Sequence, residues 1–254
     1  MAFAALRPRS VTEIVDAAFQ VLRAHYGQFV MCSALAYLPW LIIELLFLND
    51  PERIANTEWW VGIAVAFGVW LSFALMSAVI MTCASQAYLG DPVDVGEAVR
   101  RALPRLPRVM IAAVLRYILM FVGLFGLLVG ALYVVARLFA LTPAIILEDA
   151  SLVQAFDRTS FLSKDRKWHI LNTLGLVGLI YWVIGLGVTV LAVASGNAVV
   201  STLCTAFYTI LAYPVIAITE CLLYYDARIQ TEGLDLELMA GELGLPSPSE
   251  PVGP

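Results

Sequence analysis

The residues best placed to do chemistry are charges set inside apolar stretches. Arg116 and Arg137 fall within runs that otherwise read as membrane spans, where a charge is costly enough to demand a partner. At about 1.5 Å per residue, Arg116 lies about 12 Å in from Arg108 and Arg137 about 15 Å from Leu147, the end of its stretch. If the two stretches form a hairpin, the arginines reach similar depths and need an anion. Glu220, near the end of the last apolar run, is one candidate; Glu44 lies towards the opposite face. A lipid phosphate or an anionic solute is another, because the guanidinium fork matches phosphate geometry. The plainer reading is that Arg116 snorkels and that Arg137 bonds to Glu220, Gln86 or carbonyls freed near Pro143.

Other chemistry has little support. The two histidines, His25 and His169, each stand at the entry to an apolar run, where an imidazole suits the headgroup level. No HExxH, Walker loop, GxSxG or paired-carboxylate motif occurs. Cys32, Cys83, Cys204 and Cys221 are scattered through apolar segments, with the spacing of neither a zinc site nor a disulfide framework. They read as small core residues. The expectation is a protein without catalytic residues, metal or cofactor.

The elements that must position these charges are membrane helices. Of the 254 residues, 61% are hydrophobic and 14% charged, against about 25% charged in soluble domains. The mean hydropathy is +0.86. This is the composition of an all-α, polytopic membrane bundle. The net charge of −5 hides a segregation: basic residues flank the apolar runs and many acidic ones lie in the C-terminal tail. No basic tract resembles a nucleic-acid footprint.

Three similar units follow one another. Each opens on a capping pair three residues apart, Ser10/Glu13, Asp94/Glu97 and Ser151/Gln154. Each pair precedes an amphipathic stretch expected to lie on the membrane surface. Two spans should follow each stretch. The spacing predicts spans over Phe29–Leu48, Val61–Tyr88, His169–Val193 and Ala198–Leu223, the last kinked at Pro214. Val109–Leu147 holds 39 apolar-rich residues, too many for one span of about 20. The glycine-rich patch Gly123–Gly130 allows a turn that makes it two. Six spans with three interfacial helices result, in one membrane domain over 1–243 with a disordered tail over 244–254. Aligning the capping pairs also aligns Val11, Val95 and Leu152, which suggests a threefold repeat, although any interfacial helix needs a cap and an apolar stripe.

The basic residues fix an orientation. Arg100, Arg101, Arg105, Arg108, Lys164, Arg166 and Lys167 flank spans on one side, together with Arg7, Arg9, Arg23, Arg158 and Arg228; only Arg53 falls on the other. The positive-inside rule then puts both termini in the cytoplasm. The start MAFAALRPRS has no apolar run before its arginines, so insertion through an uncleaved first span is expected. Trp59, Trp60, Trp168, Tyr224 and Tyr225 read as interface anchors. The small-residue patches Gly123, Gly126, Gly130 and Gly185, Gly187 allow close helix contacts within the bundle or between protomers.

Three stretches carry a resemblance: LRPRSVTEIVDAAFQVLRAHYGQF at the start, PAIILEDASLVQAFDRTSFLSKDRKW in the middle and LLYYDARIQTEGLDLELM near the end. Together they resemble the glycerophosphoryl diester phosphodiesterase membrane-domain family of bacterial membrane proteins. The resemblance covers nearly the whole chain to about residue 242. It implies a multi-span architecture in a bacterial inner membrane. It gives no phosphodiesterase activity, because the catalytic domain's His-Arg pair is missing: neither His25 nor His169 is followed by arginine.

Two functions remain in view. The first is a non-enzymatic scaffold or accessory module whose basic interfacial faces grip anionic phospholipid, with a protein partner or a second copy of the chain. The second is a small transporter or channel for an anionic or lipid-like solute, with Arg116 and Arg137 in its path. A scaffold predicts tight packing without a polar cavity. A transporter predicts a cavity near Arg137 beside broken helices. An enzyme predicts polar groups converging near His25 or His169.

Overall fold

The computed structural model describes residues 9–48 and 59–233; the predicted link 49–58 and the tail beyond Gly233 lie outside the described residues, as do Arg7, Arg53 and the expected boundary at 243. Every regular element among the described residues is helical. In order these are α1 (Val11–Ala24), α2 (Tyr26–Leu48), α3 (Trp59–Leu89), α4 (Val95–Ala102), α5 (Leu106–Leu124), α6 (Leu127–Arg137), α7 (Leu141–Leu147), α8 (Leu152–Leu162), α9 (Lys167–Ala194), α10 (Ala198–Ala212) and α11 (Pro214–Glu232). Six segments are long and apolar enough to cross a membrane: α2, α3, α4 with α5, α6 with α7, α9, and α10 with α11. This is the architecture of a multi-pass membrane protein.

The three short amphipathic helices begin where their caps predict. The hydroxyls of Ser10 and Ser151 accept from the N–H groups of Glu13 and Gln154, whose side chains return to the cap N–H. The middle cap is only half of a box. Asp94 accepts from the Glu97 N–H, but the Glu97 carboxylate turns to Arg100 and Arg101. The Asp94 N–H goes instead to Gln86 Oε1, 3.2 Å away at the end of α3. The apolar stripes expected to face lipid are buried against the bundle: Ile14 and Ala18 of α1, Ala98 and Ala102 of α4, Ala155 and Leu162 of α8.

The long stretch turns where the glycines allow it. α5 and α6 form a hairpin through Phe125 and Gly126. A Cβ on Gly123 would lie 2.9 Å from the Gly130 carbonyl carbon, and one on Gly130 would run into the Gly123 carbonyl. Only glycine permits this backbone approach. The return span is not one helix. It breaks at Leu138–Ala140, three to five residues before Pro143. Pro143 has no N–H and its ring would clash with the carbonyl four residues earlier, that of Phe139. Thr159 of α8 repairs the break: its hydroxyl donates to the Arg137 carbonyl (2.9 Å) and accepts from the Ala140 N–H (3.1 Å).

α11 is the central element. It is buried on every side from Leu222 to Ala227, packed by α1, α3, α7, α8 and α9. One expectation changes here. Tyr224 and Tyr225 are not interface anchors but core residues, 0% and 5% exposed. The stretch from Tyr224 to Glu232 continues α11, which ends on Gly233 in the left-handed conformation (φ 68). The N-terminal end of α1, α4, α8 and the last turns of α11 share one end of the bundle, the polar end. Away from it the spans present large apolar side chains outward, among them Trp182 and Leu191 of α9 and Phe207 of α10.

Candidate functional site

The polar groups gather in two places. One is inside the bundle. Arg116, on α5, and Glu220, on α11, line the same two adjoining cavities. The larger, of about 240 Å³, is walled by Met120, Val135, Phe139 and Val177. The smaller, of about 70 Å³, is walled by Trp70, Phe73, Tyr117 and Tyr213. α5 delivers Arg116 about two and a half turns in from Pro107, and α11 delivers Glu220 less than two turns after Pro214. Both are half-buried, and among the described residues no ion pair within 4 Å joins either to any other group. The Arg116 guanidinium instead lies 6.0 Å from the ring of Tyr117.

Arg137 does not share this site. It ends α6, is exposed, and donates to the Tyr133 hydroxyl (3.2 Å). The expected meeting of two cations at one depth therefore fails, because the helix break ends α6 at Arg137 and turns the chain away. The Lys167 ammonium lies 5.3 Å from the centroid of the same Tyr133 ring. The cation that shares a cavity with an acid is Arg116, with Glu220; none of Glu220, Gln86 or the region of Pro143 receives Arg137.

The second gathering is at the polar end, and the sequence reading missed its acids. Asp226, 2% exposed, accepts from the Arg9 N–H (2.8 Å), Arg166 Nη2 (3.0 Å) and Gln230 Nε2 (2.9 Å). His169 Nε2 lies 3.5 Å from the same carboxylate. Next to it, Arg158 bridges Glu148 and Glu232, while Arg228 reaches both acids. Burial works to raise the Glu148 carboxyl, but hydrogen bonds from Arg158 outweigh it and hold the group below the ordinary carboxylate range. The same bonds raise Arg158 against its own burial penalty. Their sequence signal was the alternation of basic and acidic residues at helical spacing in YYDARIQTE and EDASLVQAFDR.

These ion pairs occupy much of the predicted lipid-gripping surface. Arg105 and Arg108 both reach Asp149 Oδ1, at 3.1 and 2.6 Å, and also cap carbonyls at Ile146, Asp149 and Ala150. Hydrogen bonds from Arg105 and Arg108 hold the Asp149 carboxyl below its usual range. The Asp149 backbone is left-handed, with φ 55. Arg100 and Arg101 pair with Glu97, and Arg166 is spent on Asp226. Among the described residues, no carboxylate lies within 4 Å of Lys164 or Lys167. Among the described residues no three His, Cys, Asp or Glu side chains assemble in a way that could hold a metal ion.

No protein-family model matches the chain, and comparison with curated proteins and with solved structures finds no similar protein.

Proposed function

We propose that the chain is a non-enzymatic membrane module that holds a phosphate-bearing lipid with its head in the Arg116–Glu220 cavity. The observation that carries this reading is an arginine inside a membrane segment, facing a cavity, with no ion-paired carboxylate. Such a cation is expensive in hydrocarbon unless an anion completes it, and a lipid phosphate suits its fork. The polar end faces the cytoplasm of a bacterial inner membrane on this proposal, by the positive-inside rule. Membership of the glycerophosphoryl diester phosphodiesterase membrane-domain family belongs to the same proposal. The three stretches that carry that resemblance are those that Arg9, Glu148, Arg158, Arg166 and Asp226 tie together.

Native mass spectrometry of the protein extracted in a mild detergent tests the reading. Wild type should retain a phospholipid that Arg116→Gln releases. A wild type that carries none, or an unchanged lipid load in the variant, refutes it.

A second reading, a transporter of an anionic, lipid-like solute, draws on the broken span. Phe139 sits in the break and also walls the larger cavity. Interrupted helices beside a cavity recur in carriers. Phospholipid exchange between leaflets of liposomes containing the protein would favour it, and its absence would leave the binding module alone.

A further inference from the structure

The two charges facing the cavity have opposite signs and do not pair with each other. An anionic head on Arg116 would meet the Glu220 carboxylate as a neighbour of like charge. A head that carried both a phosphate and an ammonium would answer both groups at once. The walls of the smaller lobe agree with that. Trp70, Phe73, Tyr117 and Tyr213 line it together with Ser77 and Thr142, with Phe73 and Tyr213 packed edge to face at 5.3 Å. Aromatic faces beside a carboxylate attract an ammonium through the ring quadrupole. The larger lobe is lined chiefly by apolar side chains, with Arg116, Tyr117 and Glu220 as its polar groups, and suits the glycerol and first methylenes of the chains.

We infer that the cavity selects an amine-bearing phospholipid, with the phosphate on Arg116 and the ammonium on Glu220 among the aromatic rings. This inference rests on the lipid-binding reading and adds the class of head. The ethanolamine-type head has the required zwitterion on a short linker. A lipid rather than a soluble phosphoamine is the source, because the larger lobe offers chiefly apolar wall.

The test is competition, read by native mass spectrometry, between equimolar dioleoyl phosphatidylethanolamine, dioleoyl phosphatidylglycerol and N-acylated phosphatidylethanolamine. The last keeps the phosphate and chains but has lost the cation. Wild type should prefer phosphatidylethanolamine over both by about tenfold, the scale of one charge-assisted contact. Glu220→Gln should erase the preference while retaining phosphatidylglycerol. Arg116→Gln should release all three. The ligand series needs no variant, so a folding defect cannot imitate the result. Equal retention of the three lipids by wild type overturns the amine inference and leaves the lipid reading standing. Retention of none by wild type overturns both. Displacement by soluble O-phosphoethanolamine at the concentration of the lipid overturns the lipid source.

Discussion

Asp226 Oδ2 lies 3.0 Å from Arg166 Nη2 at the polar end of the bundle, and the carboxylate is 2% exposed while the Arg9 N–H closes on its other oxygen. One acid thus joins the start of α1, the loop before α9 and the central helix α11. Asp226→Asn keeps the shape and an acceptor but leaves Arg166 without a counter-charge. Removing one partner of a buried pair costs about 3 kcal/mol. Thermal unfolding in detergent should show a large drop for Asp226→Asn and a smaller one for exposed Asp157→Asn; equal stability of the two would contradict the role given to Asp226.

The neighbouring carboxylates set an acid limit. Glu148 and Asp149 are held below the ordinary carboxylate range by Arg158 and by Arg105 with Arg108. A depressed folded-state pKa means that the unfolded chain binds protons first as pH falls. The stabilisation is complete above the ordinary carboxylate range and is lost as pH falls through the folded-state values. Midpoints of urea unfolding in detergent should be flat from pH 7 to about pH 5 and then decline. Glu148→Gln should flatten part of that decline; an unaltered profile would remove Glu148 from the account.

Much of this fold was legible in the sequence because its signals are local. The spans follow from apolar length, the starts of α1, α4 and α8 from Ser10, Asp94 and Ser151, and the hairpin turn from Gly123–Gly130. The break at Leu138–Ala140 was legible in principle, since Pro143 forbids a continuous helix across it, but apolar length alone conceals it. Partner choice was not legible. Arg116 shares a cavity with Glu220 across more than a hundred residues of chain, and Asp226 gathers Arg9 and Arg166 from two distant stretches. No periodicity encodes such meetings. Tyr224 and Tyr225 misled for the same reason: an aromatic pair beside a charge reads as an interface anchor unless the helix is known to be central.

The glycine contact makes a sharp prediction. Gly130→Ala would drive a Cβ into the Gly123 carbonyl, where neither backbone can yield without opening the hairpin. A Cβ on Gly187, by contrast, meets nothing within 4 Å. Gly130→Ala should lower the yield of monodisperse protein severalfold and Gly187→Ala should leave it unchanged. Similar size-exclusion profiles for both would show that the turn tolerates separation.

Thr159 offers the finest probe of the broken span. Its hydroxyl serves the Arg137 carbonyl and the Ala140 N–H, two groups that the break leaves without helical partners. Thr159→Val keeps the branched shape and deletes both bonds, leaving a buried donor and acceptor unsatisfied at about 1–3 kcal/mol. Thr159→Ser restores the hydroxyl and should recover most of that loss. Hydrogen exchange followed by mass spectrometry gives the local reading: amides at Leu138–Leu141 should exchange faster in Thr159→Val, while those of α11 keep their protection. If α8 only packs against the break through its apolar face, serine will rescue nothing. If the hydroxyl is what holds the two halves of the span in register, valine and serine will separate cleanly, and α8 becomes the element through which the polar end sets the shape of the cavity wall at Phe139.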